Sequence, residues 1–74
     1  MDKKEVRAKV KFFNDAKGWG YVIPEEGEAS GKDCFVHFTS ILKSGYKSLS
    51  TDEIVICEII NNDRGLCAVN VKKL

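Results

Sequence analysis

Two short aromatic runs, KGWGYV and CFVHF, are the parts of this sequence whose residue types and spacing could do chemistry. In an extended strand the side chains alternate between two faces, so the rings of Trp19 and Tyr21 share one face of the first run. Gly18 and Gly20 stand at the positions between and before them, which leaves the ring faces uncovered. The first run therefore predicts aromatic rings on one side of a strand.

The second run alternates in the same way. Phe35 and His37 share one face, and Phe38 lies near the strand end, where a bend could turn it outward. A contiguous exposed apolar patch usually marks a binding site. Flat aromatic faces beside lysines suit nucleobases, because stacking one base on a ring is worth about 1 to 3 kcal/mol and tolerates any base. The two runs together predict a nucleic-acid-binding surface, and the alternative is that the rings are ordinary core.

The overall charge does not by itself indicate a nucleic-acid-binding protein. Twelve Lys and Arg against eleven Asp and Glu give the 74-residue chain a formal charge of +1. The basic residues of the first part of the chain are concentrated in one segment: Lys3, Lys4, Arg7, Lys9, Lys11 and Lys17. An acidic loop follows later, with Glu25, Glu26 and Glu28. The positive charge therefore lies beside the first aromatic run.

The cysteines and the termini exclude several classes of protein. Cys34, Cys57 and Cys67 form no CxxC pair and are odd in number, which argues against a disulfide framework and a zinc site. No apolar run follows the basic start, and no stretch approaches membrane-spanning length. We expect a cytoplasmic protein with no metal, no cofactor and no membrane association.

Runs of β-branched and aromatic residues, separated by turn-forming clusters, predict an all-β chain. We place strands at 5–14, at 17 or 18–23, at 33–38, at 53–60 and at 66–71, with one helical turn at 39–42 capped by Thr39 or Ser40. Five short antiparallel strands are best closed into a small barrel, since closure removes exposed edges. The expected core residues are Val10, Val22, Cys34 or Val36, Val55, Cys57, Ile59, Val69 and Val71.

Three motifs, KFFN at 11–14, KGWGYV at 17–22 and CFVHF at 34–38, resemble the cold-shock domain family. The likeness continues through GYKSL at 45–49 and through NDRG and VNV near the end, so it covers nearly the whole chain from Arg7. KGWGYV and CFVHF correspond to the two ribonucleoprotein motifs of that family, and their joint presence is a strong signal. The chain is accordingly read as one domain, 1–74, with 1–5 as a short N-terminal extension.

The resemblance implies a five-stranded antiparallel OB-fold barrel that binds single-stranded RNA and DNA and melts RNA secondary structure without ATP. The base-stacking positions that it implies are Phe12, Trp19, Tyr21, Phe35, His37, Phe38 and Tyr46. The positions near phosphates or base edges are Lys11, Lys17 and Arg64, and the matching polar positions are Asn14 and Asp33. Phe13 matches a position that is partly core. We expect a monomer, with dimerisation through strand one or four as the alternative.

Phe12 does not fit strict alternation, which places it on the core face with Val10. The resemblance implies an irregular first strand, and a β-bulge would let the ring reach the surface. The chain also departs from the family pattern. Aromatic residues of another type stand at 12, 19 and 21, Leu66 stands where proline is common, and Asp52 replaces a frequent turn glycine.

Three other functions are alternatives to nucleic-acid binding. An enzyme would use Asp33, His37 and Lys17 as its acid and base groups, but the sequence has no phosphate-binding loop, metal-ligand cluster or nucleophile motif. A protein-interaction barrel would bind proline-rich peptides through the aromatic patch. A translation initiation factor of the related OB type would associate with ribosomes.

Overall fold

The computed structural model describes residues 5–27, 29–42 and 49–73, and the strands in these ranges close into a barrel. The strands are β1 (Glu5–Asn14), β2 (Trp19–Pro24), β3 (Cys34–His37), β4 (Ile54–Asn62) and β5 (Gly65–Lys73). A single 3-10 turn, Phe38–Ser40, follows β3. Around the barrel the order is β1, β2, β3, β5, β4, and β4 pairs again with β1. The predicted all-β, five-stranded barrel is confirmed.

One junction of the barrel differs from the other four. β3 and β5 pair in parallel, with Phe35 opposite Cys67, whereas the other neighbouring strands pair antiparallel. A bridge between Ile41 and Val71 extends this parallel junction beyond β3. The prediction of five antiparallel strands is wrong at this one junction. Parallel neighbours need a long connection, and the chain from β3 to β5 includes the whole of β4.

The observed strand boundaries lie within two residues of the predicted ones. β1 has the predicted bounds, while β2 continues to Pro24, which is buried opposite Ala8 at the strand end. Proline is tolerated at that position because the ladder ends there. The predicted caps of the helical turn were wrong: His37 is the N-cap, because its ring nitrogen Nδ1 accepts the backbone N–H of Thr39.

The core consists mainly of small apolar side chains, among which valine is the most frequent and Ile41 is the largest that is fully buried. The fully buried ones that were predicted are Val10, Val22, Cys34, Val36, Val55, Cys57 and Val71. Ile59 is only partly buried against this core. Val69 is half-buried and Ala68 takes the interior position, so that prediction was wrong. The cause is a register shift between β4 and β5 beside Asn70, whose φ of 52° is left-handed and reverses the alternation of β5.

The two buried thiols behave as apolar core residues. Desolvation raises the pKa of the Cys57 thiol to about 12, and burial also raises the pKa of Cys34. Both thiols therefore remain protonated near neutral pH and need no charged partner. Cys67 differs, since it is half-buried and its sulfur accepts a hydrogen bond from Asn62 Nδ2 at 3.3 Å.

β1 contains the predicted bulge. Val10 pairs with Val22 and Phe12 with Tyr21, so Lys11 is an extra residue on β1 with no counterpart on β2. The backbone of Val10, just before the bulge, is fixed on its other side. Its N–H donates to the carbonyl of Glu53 at 2.8 Å, and its carbonyl accepts the N–H of Asp52 at 2.7 Å.

We expect Asp52→Gly to raise the free energy of unfolding by about 0.5 to 1 kcal/mol. Asp52 has a φ of 69°, where glycine avoids the steric cost of a Cβ. The lost ion pair with Lys9 spans 4.0 Å between exposed side chains, and such pairs contribute little. Urea denaturation measures the change.

Asn70→Gly is the matched control for this substitution. Asn70 is also left-handed, with a φ of 52°, but its side chain donates to Glu58 Oε1 at 3.1 Å. Removing that hydrogen bond offsets the conformational gain, so Asn70→Gly should raise the stability less than Asp52→Gly. A loss of stability in Asp52→Gly, or equal gains in both variants, would contradict the explanation.

Candidate nucleic-acid interface

Six rings lie on the outer face of β1, β2 and β3 and on the turn that follows β3. We call this set the aromatic platform, and its members are Phe12, Trp19, Tyr21, Phe35, His37 and Phe38. Phe12 and Phe38 are 38% and 42% exposed, and the other four are half-buried. Their neighbours in sequence on β2 and β3 face the core. Alternation predicted this outward orientation for Trp19, Tyr21, Phe35 and His37, whereas Phe12 reaches the same face through the irregularity in β1.

The strand register brings the rings side by side. Tyr21 on β2 lies opposite Phe35 on β3, and Trp19 lies opposite His37. The bulge in β1 places Phe12 opposite Tyr21. Three adjacent strands therefore contribute rings at matching heights of the barrel.

The ring contacts link Phe12 to β2 and β2 to β3. The ring centroid of Phe12 is 5.9 Å from that of Trp19 and 5.7 Å from that of Tyr21. Trp19 and Phe35 are 6.1 Å apart and nearly parallel, at 28°. His37 is 4.6 Å from Phe38. Aromatic pairs at these separations stabilise one another by about 0.5 to 1.5 kcal/mol beyond the area that they bury, so the platform is held in place before any ligand binds.

Gly18 and Gly20 allow close approaches beneath the platform. A Cβ added at Gly20 would lie 2.2 Å from the carbonyl oxygen of Phe12, so only glycine lets β1 and β2 approach there. A Cβ at Gly18 would lie 2.5 Å from Cδ2 of Phe38. The N–H of Phe38 also donates to the carbonyl of Gly18 at 2.8 Å. The ring of Phe38 therefore occupies the space that the missing side chain of Gly18 leaves free.

Polar side chains lie at the border of the platform. Lys11, the bulge residue, forms an ion pair with Asp33 at 3.0 Å, and both side chains are about half exposed. Asn14 Oδ1 accepts the backbone N–H of Lys17 at 3.0 Å and shapes the turn into β2. The side chain of Lys17 is exposed. Four of the predicted polar positions therefore lie beside the rings or in the turn that leads to them.

Two predicted site residues are not placed with the others. Arg64 lies in the turn between β4 and β5, where its backbone N–H donates to Asn62 Oδ1 at 2.9 Å, and its side chain is exposed. Tyr46 lies outside the described residues. Phe13, matched to a partly core position, is half-buried and packs against the core.

The acid and base groups considered for an enzyme are not assembled into a site. Asp33 pairs with Lys11, and His37 Nδ1 contacts Thr39. Among the hydrogen bonds and ion pairs of the described ranges, none joins two of the residues Asp33, His37 and Lys17. A cavity of about 510 Å³ lies between the loop after β2 and the β4–β5 hairpin, and no platform residue lines it.

Thr39 contacts His37 of the platform, although the sequence predicted Thr39 only as a helix cap. Its backbone N–H and its hydroxyl both lie within hydrogen-bond distance of His37 Nδ1, at 3.3 and 3.0 Å. The spacing His-x-Thr is the signal that could have revealed this contact. In the part of the chain that the structure describes, no cluster of metal-ligating side chains is found, and no helix is long and apolar enough to cross a membrane.

Comparisons of the chain with a family model and with individual proteins agree with one another. A family model described as 'Cold-shock' DNA-binding domain matches residues 6–74. The chain is 42% identical over 67 residues to cold shock-like protein CspE of Escherichia coli (strain K12), covering 90% of this chain and 93% of that protein. It is 47% identical over 68 residues to cold shock protein CspB of Geobacillus stearothermophilus, covering 92% and 97%.

A solved structure shows a similar fold. The structure described as drosophila Unr CSD456 superposes with a TM-score of 0.75 at 22% sequence identity. The match covers 97% of this chain and 27% of that longer chain. At this identity the likeness is evidence for the fold alone, and it agrees with the closed five-stranded OB-type barrel.

We expect Gly18→Ala to displace the ring of Phe38, whereas Gly31→Ala leaves the platform unchanged. The two glycines have φ values of +77° and +80°, but an added Cβ meets Phe38 only at Gly18 and meets nothing within 4 Å at Gly31. Both variants should lose about 1 to 2 kcal/mol of stability from the left-handed backbone. NMR ring-current shifts of His37 and Phe38 report the displacement. Unchanged shifts in Gly18→Ala would show that Gly18 does not determine the position of that ring.

Proposed function

The chain belongs to the cold-shock DNA-binding domain family, whose members bind nucleic acid and are not enzymes, and we propose that it binds single-stranded RNA and DNA by stacking bases on the aromatic platform. The observation that supports this most directly is the placement of six rings on one outer face, with Lys11 and Lys17 at its border. We further propose that it acts as an RNA chaperone, melting RNA secondary structure without ATP.

Stacking would supply most of the affinity. Phe12 and Phe38 are the platform residues with the largest exposed fractions, and each base that stacks on an aromatic side chain adds about 1 to 3 kcal/mol. A π-face accepts every base, so this mode of binding has little sequence preference. A duplex buries its base faces, so only unpaired strands offer them to the platform.

Melting of RNA follows from the same preference by mass action. A protein that binds the open form of a hairpin and not the closed form shifts the equilibrium by RT ln(1 + [L]/Kd), where [L] is the concentration of free protein. No nucleotide hydrolysis is required. The shift therefore depends on the protein concentration, which distinguishes a chaperone of this kind from an ATP-driven helicase.

Electrostatic attraction would make a smaller contribution. The net charge of the chain is +1, and Lys11 is already paired with Asp33. Because both partners of that ion pair are exposed, the pair itself contributes little to stability. Lys11 can therefore exchange the carboxylate for a phosphate at a small free-energy cost, and Lys17 can reach a second phosphate.

The barrel supports the proposal of a monomer. β1 pairs with β2 and β4, and β4 pairs with β1 and β5, so each of these two strands has a neighbour on both sides over part of its length. A free edge is what strand-to-strand association requires. Cys34, Cys57 and Cys67 are unpaired in this structure, which fits a reducing compartment and supports the proposed cytoplasmic location. We also propose that residues 1–74 form one domain.

We expect a short oligothymidine to quench the fluorescence of Trp19, and a duplex of equal length to leave it unchanged. Removing two rings, in the double variant Tyr21→Ala with Phe35→Ala, should weaken binding at least about 30-fold, from roughly 1 kcal/mol or more per lost stack. Ile60→Ala is the matched control, because Ile60 is also a large exposed apolar side chain, 44% exposed, but lies on β4, which contributes no ring to the platform. Its affinity should equal that of the unaltered protein.

Two results would refute the proposal. The first is no fluorescence change together with no complex in a gel shift, and the second is equal weakening by Ile60→Ala and by the double variant. Titration with a proline-rich peptide, with and without oligonucleotide as competitor, then tests the peptide-binding alternative. Co-sedimentation with ribosomes tests the initiation-factor alternative.

The affinity for oligothymidine should depend only weakly on salt. Single-stranded binding loses about 0.7 log units of affinity per phosphate contact for each tenfold rise in salt, so contacts from Lys11, Lys17 and Arg64 predict a slope of about −2. Lys17→Gln should reduce the slope by about 0.7. Lys72→Gln is the control, because Lys72 pairs with Glu5 at 2.7 Å across β4, away from the platform. A slope several times steeper would indicate that phosphate contacts, and not stacking, dominate the affinity.

A further inference from the structure

We propose that His37 donates a hydrogen bond from Nε2 to a carbonyl oxygen of a thymine or uracil base, a role that rests on the nucleic-acid-binding function proposed above. Thr39 is the residue that positions His37 for this contact. His37 then offers a directed hydrogen bond from the edge of its ring as well as a face for stacking, which the phenylalanines of the platform cannot do.

The contacts at Nδ1 determine which ring nitrogen holds the proton. The backbone N–H of Thr39 is 3.3 Å from Nδ1, and a backbone N–H can only donate. Nδ1 must therefore accept. A neutral imidazole has one N–H and one acceptor nitrogen, so the proton of the neutral ring is on Nε2. The hydroxyl of Thr39, 3.0 Å from Nδ1, can donate to the same nitrogen.

The Nε2–H group is left available for a ligand. Among the hydrogen bonds that the described residues make, none involves Nε2 of His37, although two involve Nδ1. The ring itself is half-buried and belongs to the platform. A donor at the surface of a base-stacking platform, without a protein acceptor, is suited to an acceptor on the bound strand.

The orientation of the ring is fixed on two sides. Phe38 packs against it, with centroids 4.6 Å apart and ring planes at 32°. Phe38 is itself confined by Gly18 and by its backbone hydrogen bond to that residue. Thr39 fixes the edge of the imidazole that contains Nδ1. Rotation of the ring about its last bond would break both contacts to Thr39, so the direction of Nε2–H is set before binding.

Thymine and uracil have carbonyl oxygens on their edges, and a carbonyl oxygen can only accept a hydrogen bond. A base that stacks on a neighbouring ring of the platform turns its edge toward the side chains around it. The Nε2–H of His37 is a donor that such a base edge can contact. Oligothymidine is therefore a suitable probe.

His37→Phe separates the hydrogen bond from stacking, because phenylalanine retains a flat ring and lacks the N–H. We expect this variant to bind oligothymidine about two- to twelvefold more weakly, the range for one lost hydrogen bond. His37→Ala loses both contributions and should bind more weakly still. If stacking were the only role of His37, phenylalanine would bind as tightly as histidine or more tightly, and that result would overturn the proposal.

Thr39→Val and Thr39→Ser test the positioning role without changing His37. Valine removes the hydroxyl at nearly the same volume, and serine keeps it. The two-bond proton–nitrogen NMR spectrum of the imidazole identifies the tautomer. We expect the Nε2–H form in the unaltered protein and in Thr39→Ser. In Thr39→Val only the longer contact from the backbone N–H, at 3.3 Å, remains at Nδ1, so we expect a smaller excess of the Nε2–H form and weaker binding. A merely structural role of Thr39 would lower the melting temperature and leave the tautomer unchanged.

The outcomes separate this role from the proposed function. If the unaltered protein does not bind oligothymidine, both fail together. If it binds and His37→Phe binds equally well, only the role of His37 fails. An Nδ1–H tautomer in the unaltered protein would also overturn that role, whether or not the strand binds.

Discussion

The bulge at Lys11 is the constraint on which the platform depends. Before it, β1 places Val10 in the core, and continued alternation would place Phe12 there too. The extra residue reverses the alternation, so that Phe12 joins the rings of β2 while Phe13 packs against the core. It also directs Lys11 to Asp33. The bulge is held from both sides, by the hydrogen bonds between Val10 and the chain at 52–53 and by the close approach of Phe12 to Gly20. Bulges commonly redirect side chains next to functional sites.

The division of side chains between core and surface has an energetic consequence. The interior is filled mainly by valine, alanine and cysteine together with Ile41 and Leu49, and the aromatic side chains of the platform are on the outside. Burying a phenylalanine fully would stabilise the fold by roughly 1.5 to 3 kcal/mol, so each ring left on the platform forgoes part of that gain. A domain of this size has little stability to spare. A ligand that covers the rings restores part of the lost burial, and the folded state then gains stability with ligand concentration. Function and stability are thus coupled through the same six side chains.

Local alternation made much of the fold predictable, and non-local features account for the rest. The faces of Trp19, Tyr21, Phe35 and His37 follow from period-two alternation within single strands. Phe12 could be placed only through the family resemblance, because a bulge leaves no local signal in composition. Val69 was misassigned to the core for a related reason: the left-handed Asn70 reverses the alternation in β5. The parallel junction of β3 with β5 depends on how the barrel closes, which no single strand specifies. The cap of the 3-10 turn was missed because a histidine ring nitrogen replaced the usual hydroxyl or carboxylate acceptor.

The geometry of the rings bears on which form of nucleic acid the platform could accept. Neighbouring centroids among Phe12, Trp19, Tyr21 and Phe35 are 5.7 to 6.1 Å apart, while successive bases of a regular helix rise by only about 3.4 Å. Trp19 and Tyr21 are nearly perpendicular, at 87°. Bases that stack on adjacent rings must therefore separate from one another and tilt, and a paired helix cannot do this without breaking. An unpaired strand can adopt that spacing by rotating its backbone. The spacing of the strands in the barrel, and not any base-specific contact, is then what would select single strands over duplexes.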